Sequence, residues 1–418
     1  MSERYVLGAW CSHHFSLEGF PYEKECVDHW ADAGLNVAMA PFISMEKPDE
    51  VRRLKRIMDR AAERDLRLIL GVGGAWLGDL LVKGEAGYRR SVAKALKHFG
   101  DHPAMFGFYI GDEPAPATFP DACRAMRIHN ELAPHLHNFL NHLPVVLGHR
   151  DLDAAAALMD RWAQEGKPRY LCYDCYEQFS TARTEQENLD IYFRNLMFYQ
   201  QAAERNGLPF WNSGLSVVYS LCRPMTEDDF HWQLNTTIAH GAKGLMHFFF
   251  FCFFSMDNYS HAPVSFGERT EQFTGMRRAH DRFVNHTEPV VRDLTLKKVS
   301  HYGQAYGGTP LFDGSGLVTK AWADTPLIIS EFKHANGSDY VMVVNNHMRR
   351  STQALIRFRG AATEAYELFR FHNTVTEKNV FNMHYECWSP KRVDGGLEVC
   401  PNGLNPGQMM LYRVEIKK

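Results

Sequence analysis

The chain has 418 residues, of which 45% are hydrophobic and 23% are charged, a composition typical of an ordinary globular protein. A formal net charge of -3 gives no electrostatic reason to expect nucleic acid or a membrane surface as a partner. The length suffices for one large catalytic barrel followed by a smaller domain, or for two or three ordinary domains.

Short apolar runs alternate with amphipathic helical segments from residue 4 to about residue 285. The apolar runs predict strands over residues 5–10, 35–41, 66–72, 105–110, 137–142, 170–175, 208–213 and 244–250. The other segments predict helices over residues 23–33, 49–64, 88–99, 119–132, 152–164, 185–206, 227–240 and 270–285. Eight strand–helix repeats favour a closed (β/α)8 barrel. An open doubly wound sheet would also fit the alternation, but residues 71–74 match the glycine-rich phosphate-binding loop of that fold only partly.

The sequence changes character after about residue 297. Short strands are predicted over residues 327–333, 340–345, 353–359 and 409–414. They are separated by turn pairs such as Asn336-Gly337, Gly395-Gly396 and Asn402-Gly403. This pattern predicts a small antiparallel β-sandwich. We therefore expect a barrel over residues 1–296 and a β-domain over residues 297–418.

The fourth predicted strand ends on two adjacent carboxylates, Asp112 and Glu113, followed by Pro114. The proline disfavours the helical region for Glu113, so we expect Glu113 to be extended. Like charges at such short range raise one another's pKa, which is how enzymes keep a general acid protonated near neutral pH. The structural alternative is an acidic loop exposed to solvent.

Catalytic groups of such barrels lie at the carboxyl ends of the strands. The candidate residues at these ends are Trp10, His13, Trp76, Asp112, Glu113, Asn141, His142, Asp174, Tyr176, Trp211 and Asn212. Rings that stack, amides that bind hydroxyl groups and paired carboxylates suit a polyhydroxylated substrate. Trp10 and Trp211 could instead be core residues, and Asp174 could cap a turn. Of the adjacent His13 and His14, only one can face the barrel axis.

The barrel resembles the clan A glycoside hydrolases, the clan of β-galactosidases and many β-glycanases. The resemblance rests on residues 107–114 (GFYIGDEP), 170–174 (YLCYD) and 241–244 (GAKG), and it covers about residues 4–285. It implies that Glu113 is the general acid/base of a glycoside hydrolase. The clan usually has Asn where this chain has Asp112, and a nucleophilic Glu on the seventh strand, where this chain has Asn212 and no carboxylate.

Three alternatives account for these departures. Asp174 could be the second carboxylate, kept ionised by Tyr173 or Tyr176, leaving Glu113 as the proton carrier. We expect the longer carboxyl separation of about 6.5–9.5 Å, and hence inversion, because the fourth and sixth strands are not neighbours. Asp112 and Glu113 could instead serve a hexosaminidase-like mechanism in which the substrate's acetamido group is the nucleophile. The site could also bind glycans without cleaving them.

No cofactor and no metal are expected. A metal-dependent amidohydrolase would draw on His13, His142 and Asp257, but the first strand lacks its His-x-His pair. The nine cysteines lack the paired spacing of zinc sites, so we predict free thiols. The N-terminus lacks a secretory signal, so we predict a cytoplasmic protein, with a trimmed leader as the alternative. The apolar run 245–254 is about half the length of a membrane span, so we predict a core strand. The expected partner is an oligosaccharide or glycoside, and the oligomeric state is not predicted.

Overall fold

The structure is a computed structural model that describes residues 4–11, 24–148, 151–252, 259–360, 366–371 and 391–416. The candidate residue His13, and with it His14 and Asp257, lies outside the described residues. The chain divides into two compact units. The first comprises Val6–Met225 and Gly244–Arg277, and the second comprises Met1–Tyr5, Thr226–Lys243 and Arg278–Lys418.

The first unit contains a parallel sheet of eight strands, counted over the described ranges. They are β1 (Val6–Ala9), β2 (Val37–Met39), β3 (Arg67–Leu70), β4 (Met105–Asp112), β5 (Phe139–Asn141), β6 (Leu171–Asp174), β7 (Phe210–Leu215) and β8 (Gly244–Phe248). Their order in space is β5-β4-β3-β2-β1-β8-β7-β6. A parallel bridge between His142 and Tyr173 brings the two edges, β5 and β6, together. The predicted (β/α)8 barrel is confirmed.

Helices follow the strands much as the sequence predicts. They are α1 (Glu25–Asp32), α2 (Pro48–Glu63), α3 (Leu77–Phe99), α4 (Phe119–Leu132), α5 (Val145–Gly148), α6 (Leu152–Arg161), α7 (Glu185–Asn206), α8 (Glu227–Ala239), α9 (Glu271–His286) and α10 (Glu288–Val291). A π-helical turn, Trp162–Gly166, extends α6, and a 3-10 turn, Glu177–Phe179, follows β6. Helix α3 begins at Leu77 and is interrupted at Gly84, where φ is 65°, so the prediction of residues 88–99 covered only its second part.

Strand β4 carries two extra residues relative to its neighbours. Leu68 and Ile69 of β3 pair with Met105 and Gly107, which leaves Phe106 as an insertion. On the other side, β5 pairs with β4 in a register that skips Ile110. Such bulges re-aim side chains and are frequent next to active sites. A simple alternation of inward and outward side chains therefore fails along this strand.

The second unit contains two antiparallel sheets. Their strands are β9 (Leu294–Tyr302), β10 (Val318–Trp322), β11 (Leu327–His334), β12 (Asp339–Asn345), β13 (Thr352–Arg359), β14 (Tyr366–Phe371), β15 (Lys391–Val393), β16 (Gly396–Leu404) and β17 (Met409–Ile416). The sheet orders are β9-β11-β12-β17-β14 and β10-β13-β16-β15. Ile329 and Val341 of the first sheet share one buried cluster with Val318 and Ile356 of the second, so the predicted antiparallel β-domain is confirmed.

Helix α8 belongs to this second unit. The indole Nε1 of Trp232 donates to Asn346 Oδ1 at 3.0 Å, and Asn235 Nδ2 donates to the Gly407 carbonyl at 2.8 Å. The Ser330 hydroxyl donates to the Ala239 carbonyl at 2.7 Å. The boundary between residues 296 and 297 stays a prediction.

In the parts of the chain that the structure describes, no helix combines the length and the apolar character that a membrane crossing requires.

Candidate active site

The backbone turns at Glu113, directly after β4 ends on Asp112. Glu113 has a φ of 44°, in the left-handed region, so the expectation of an extended Glu113 was wrong. Its N–H donates to the Asn141 carbonyl at 2.9 Å, which carries the β4–β5 pairing one residue beyond β4. Pro114 disfavours the right-handed helical region, and the chain turns away through the left-handed one instead.

A third carboxyl group joins them from β6. Asp174 stands at the carboxyl end of that strand, close enough to Glu113 for the two carboxyl groups to affect each other's pKa. Asn141, at the end of β5, donates from Nδ2 to Asp112 Oδ1 at 3.1 Å and also interacts with Asp174. Three consecutive barrel strands thus bring Asp112, Glu113 and Asp174 into one cluster, which we call the carboxyl cluster.

Burial and mutual repulsion raise the pKa of every member of the carboxyl cluster. Burial raises the pKa of Asp112 to about 6, against the opposing effect of the Asn141 amide. The Asp174 pKa lies well above its usual range because the group is desolvated and because Glu113 and Asp112 repel its charge. The pKa of Glu113 is raised by burial and by Asp112, while the hydrogen bond from Asp174 acts in the opposite direction. All three shifts favour the protonated forms, so the carboxyl cluster binds protons more tightly than isolated carboxyl groups do.

The pKa of Asp174 shifts in the direction opposite to the one expected from the sequence. Asp174 is the most desolvated member and favours the neutral form, whereas the sequence favoured an ionised Asp174 beside a protonated Glu113. Tyr173 does not flank it, because its ring stacks on Tyr199 at 4.0 Å on the opposite side of β6. The Tyr176 hydroxyl is the tyrosine group that favours the charged form of Asp174.

The bridge that joins β5 to β6 places the end of β6 beside the ends of β5 and β4. The expected carboxyl separation of about 6.5–9.5 Å, and the inverting mechanism that goes with it, stays a prediction.

Two cavities meet at Asp112. The first, of about 470 Å³, is lined mainly by apolar and aromatic side chains, among them Trp10, Phe42, Trp76 and Tyr109; we call it the aromatic cavity. The second, of about 570 Å³, contains all three members of the carboxyl cluster, and we call it the acidic cavity. Both volumes are typical of small-molecule sites.

Several predicted residues line these cavities. Trp10 is 3% exposed, donates from Nε1 to Ser213 Oγ at 3.2 Å and faces the aromatic cavity. Trp76 is 49% exposed at the rim of the same cavity. Tyr176 lines the acidic cavity and stacks on Phe248 with centroids 5.3 Å apart.

Other predicted residues line neither cavity. The His142 ring packs against Phe119 and Trp162, on the helical side of the wall. Trp211 stacks on Tyr170 at 3.7 Å in the barrel interior. Asn212 is fully buried, and its Nδ2 lies 3.4 Å from the hydroxyl of Tyr192 on α7. Alternation along β5 and β7 would have indicated the outward direction of His142 and Asn212.

The sequence reasoning missed several lining residues. Tyr109 reaches the aromatic cavity, and its inward direction follows the insertions in β4. Tyr219 and Tyr259 line the acidic cavity from two loops that pair as short antiparallel strands, Val218–Tyr219 and Tyr259–Ser260. Glu177 and Arg183 form an ion pair in the same cavity. None of these carries a local sequence signal for a site, because loop pairing depends on the closed barrel.

Within the described ranges, no group of three or more His, Cys, Asp or Glu residues is arranged to hold a metal ion.

Comparisons with known proteins give the fold. No protein-family model matches the sequence, and no curated protein matches it. Among solved structures, a "Glycoside hydrolase" has a TM-score of 0.57 at 10% identity, covering 98% of this chain and 92% of its own. A glycoside hydrolase family 5 protein from Bacteroides vulgatus has a TM-score of 0.56 at 9% identity, covering 98% and 89%. The GH51 arabinofuranosidase from Xanthomonas axonopodis pv. citri has a TM-score of 0.51 at 8% identity, covering 99% and 97%. The chain thus has the fold of these glycoside hydrolases, and the resemblance inferred from its fourth strand is confirmed at the level of the fold.

Proposed function

We propose that the protein is a glycoside hydrolase that cleaves O-glycosidic bonds at the carboxyl cluster. The observation that carries this proposal is the convergence of Asp112, Glu113 and Asp174 at the carboxyl ends of β4 and β6, between two cavities. Hydrolysis of an acetal requires one protonated and one ionised carboxyl group around the scissile bond. A cluster that retains a proton while one member is ionised meets this requirement.

Glu113 is the proton donor in this proposal. Its side chain is exposed to the acidic cavity, so it can reach a glycosidic oxygen, whereas Asp174 is more desolvated. Asp174 influences the pKa of Glu113, and in this proposal it exchanges with Glu113 the proton that Glu113 delivers to the leaving-group oxygen. The sequence suggested Asp174 as the second, ionised carboxylate, whereas this proposal gives that role to Asp112.

Asp112 is the ionised partner in this proposal. With a pKa of about 6, it is mostly charged at pH 7, and it is the residue that lines both cavities. A negative charge at the junction stabilises the oxocarbenium character of the transition state or activates the attacking water. The Asn141 amide, which donates to Asp112, fixes the orientation of this carboxylate.

A second mechanism for the same activity has one observation in its favour. Among the described residues, the carboxyl end of β7 carries Ser213, Gly214 and Leu215 and no carboxylate, so a protein nucleophile opposite Glu113 is missing there. An acetamido group of the substrate would then be the nucleophile, with Asp112 orienting it. This mechanism predicts turnover of N-acetylated glycosides only.

The test is a panel of chromogenic α- and β-glycosides, with and without a 2-acetamido group, assayed with and without EDTA. We expect turnover of at least one glycoside, and we expect that turnover to be insensitive to EDTA. Restriction to acetamido sugars would select the substrate-assisted mechanism. Saturable quenching of tryptophan fluorescence by sugars, with no turnover across the panel, would reject the hydrolase and leave a carbohydrate-binding barrel.

A further inference from the structure

The acidic cavity has an unbalanced charge. Its described lining residues include four carboxyl groups, those of Asp112, Glu113, Asp174 and Glu177, and one cationic side chain, Arg183. The Arg183 guanidinium is bonded to Glu177, so the three members of the carboxyl cluster face the cavity without a cation from the described lining residues. A positively charged ligand group would supply the missing charge.

One buried acceptor of the carboxyl cluster lacks a donor. Asp174 lines the acidic cavity, and its Oδ1 atom is buried and has no hydrogen-bond partner within the described part of the chain. Buried acceptors are normally satisfied, so this oxygen indicates a ligand group that donates a hydrogen bond. An ammonium group donates three and accepts none.

Aromatic rings form part of the wall of the acidic cavity. Tyr219 and Tyr259 stack with centroids 5.0 Å apart, and Tyr176 and Phe248 stack at 5.3 Å. Tyr176 and Tyr219 meet edge to face at 6.1 Å, which joins the two pairs into one surface. The faces of such rings attract cations, and they also stack on the apolar faces of sugar rings. Aromatic rings and carboxylates that line one cavity together favour a cation over a neutral group.

We propose that the acidic cavity binds an amino sugar whose amine is free and protonated, so that the substrate is a glycoside of an unacetylated amino sugar. That the amino sugar is a substrate rests on the proposed function, while the binding preference does not depend on it. The amine must be in its ammonium form, because an acetamido group in the same place carries no positive charge to balance the carboxyl cluster.

The test is binding to the full-length protein, measured by stopped-flow tryptophan fluorescence before turnover. One probe series is the β-1,4-linked tetrasaccharides of glucosamine, N-acetylglucosamine and glucose. The other is the methyl glycosides of galactosamine, N-acetylgalactosamine and galactose. At pH 6.5, below the pKa of about 7.7–8.0 of a comparable amine, we expect the free amine of at least one series to bind about tenfold tighter than its neutral counterparts. We expect 0.5 M salt to reduce this preference.

Three variants separate charge recognition from plain contact area. Tyr219→Leu should weaken amine binding several-fold more than binding of the neutral analogue, while Tyr219→Phe, which keeps the ring, should retain the preference. Arg183→Gln should strengthen amine binding, because it removes the cation and leaves Glu177 unpaired.

Equal binding of the amine and both neutral counterparts in both series, or no binding of any probe, would overturn the proposal. So would an equal effect of Tyr219→Leu on charged and neutral probes. Hydrolysis is scored separately: an amine preference without turnover rejects the hydrolase alone, and turnover of neutral glycosides without the preference rejects this inference alone.

Discussion

Glu113 combines two energetic costs at one position. Its left-handed backbone, at a φ of 44°, is of the kind that costs about 1–3 kcal/mol for a residue other than glycine. Its carboxyl group also has a raised pKa, caused by burial and by Asp112. Strain and a perturbed pKa at the same residue are typical of catalytic positions, since the surrounding structure must compensate for both.

Glu113→Gln should lower kcat/KM by about 10²–10⁴-fold on substrates with poor leaving groups, because the proton donor is lost. Substrates with activated leaving groups should be affected less. Steady-state kinetics on both kinds of glycoside check this, with Glu204→Gln on the exposed surface of α7 as the matched control. A Gln variant that matches the wild-type rate on a natural substrate would end the assignment of Glu113.

Asp174→Asn should lower turnover by about 10²-fold or more, while the affinity for the sugar is largely retained. The amide can still hydrogen-bond Glu113, but it cannot hold the shared proton. Measuring kcat separately from the dissociation constant of a slowly hydrolysed glycoside distinguishes the two effects, and the exposed Asp101→Asn is the control. Loss of binding with unchanged kcat would assign Asp174 to substrate contact.

Asp112→Asn should stabilise the protein at neutral pH. The pKa of Asp112 rises from 3.8 to about 6 on folding, so its ionisation costs stability as the pH rises above its unfolded pKa, and the full cost is present above about pH 6. Because the side chain is partly open to solvent, we expect a gain of about 1 kcal/mol at pH 7.5 and none at pH 3.5. Denaturant unfolding at both pH values measures this. An equal gain at pH 3.5 would mean that the effect is not electrostatic.

At the scale of single elements, β4 determines where the carboxylates stand. Its insertions at Phe106 and Ile110 change, twice before Asp112, which side of the sheet the following side chains face. The strand also passes very close to the segment before β5. A Cβ added at Gly107 would lie 2.1 Å from the His137 carbonyl oxygen, whereas one added at Gly111 would meet nothing nearer than 3.6 Å.

Gly107→Ala should therefore destabilise the protein by about 1–3 kcal/mol, because the backbone of β4 must move away from the adjacent chain. The same movement displaces Asp112 and Glu113, so activity should fall in the fraction that remains folded. Gly111→Ala is the matched control on the same strand and should leave the free energy of unfolding nearly unchanged. Urea unfolding compares the two, and similar losses in both would refute the close-approach argument.

At the scale of the whole molecule, the second unit takes up α8 and α10 as well as the two sheets. Trp232 and Asn235 of α8 are bonded to Asn346 and Gly407 of the C-terminal region. Glu288 of α10 accepts a hydrogen bond from the Tyr5 N–H at 2.9 Å. The described residues after 297 are therefore partners of helices that precede them in the chain.

A chain truncated after residue 296 should be insoluble or markedly less stable than the full chain. Removal of the sheets exposes α8, in which Trp232, Leu234 and Ile238 are each at most 1% exposed. Solubility and thermal unfolding of the truncated and full-length proteins measure this. A truncated barrel that is well folded and has lost only its activity would instead show that the C-terminal domain contributes to the active site.

The sequence allowed the barrel order to be predicted because each strand–helix repeat has its own hydrophobic period. It also indicated Asp112, Glu113 and Asp174, since strand ends can be located from where apolar runs stop. It could not indicate the left-handed Glu113 or the insertions in β4, which depend on pairing with β3 and β5. The raised pKa of Asp174 could not be predicted either, because desolvation depends on how the folded barrel buries the side chain.

We expect the barrel wall to open more easily at the join between β5 and β6 than between its other strands. In the part of the chain that the structure describes, two backbone hydrogen bonds join these edges, from His142 to Cys172 at 2.9 Å and from Asp174 to His142 at 3.4 Å. Glu113 stands on one side of this join and Asp174 on the other. Backbone deuterium uptake should therefore be faster at the Asp174 amide than at the paired amides of β3 and β4. Local opening there would part Glu113 from Asp174 and expose both carboxyl groups to water, so the two side chains are expected to be closest when the barrel wall is closed.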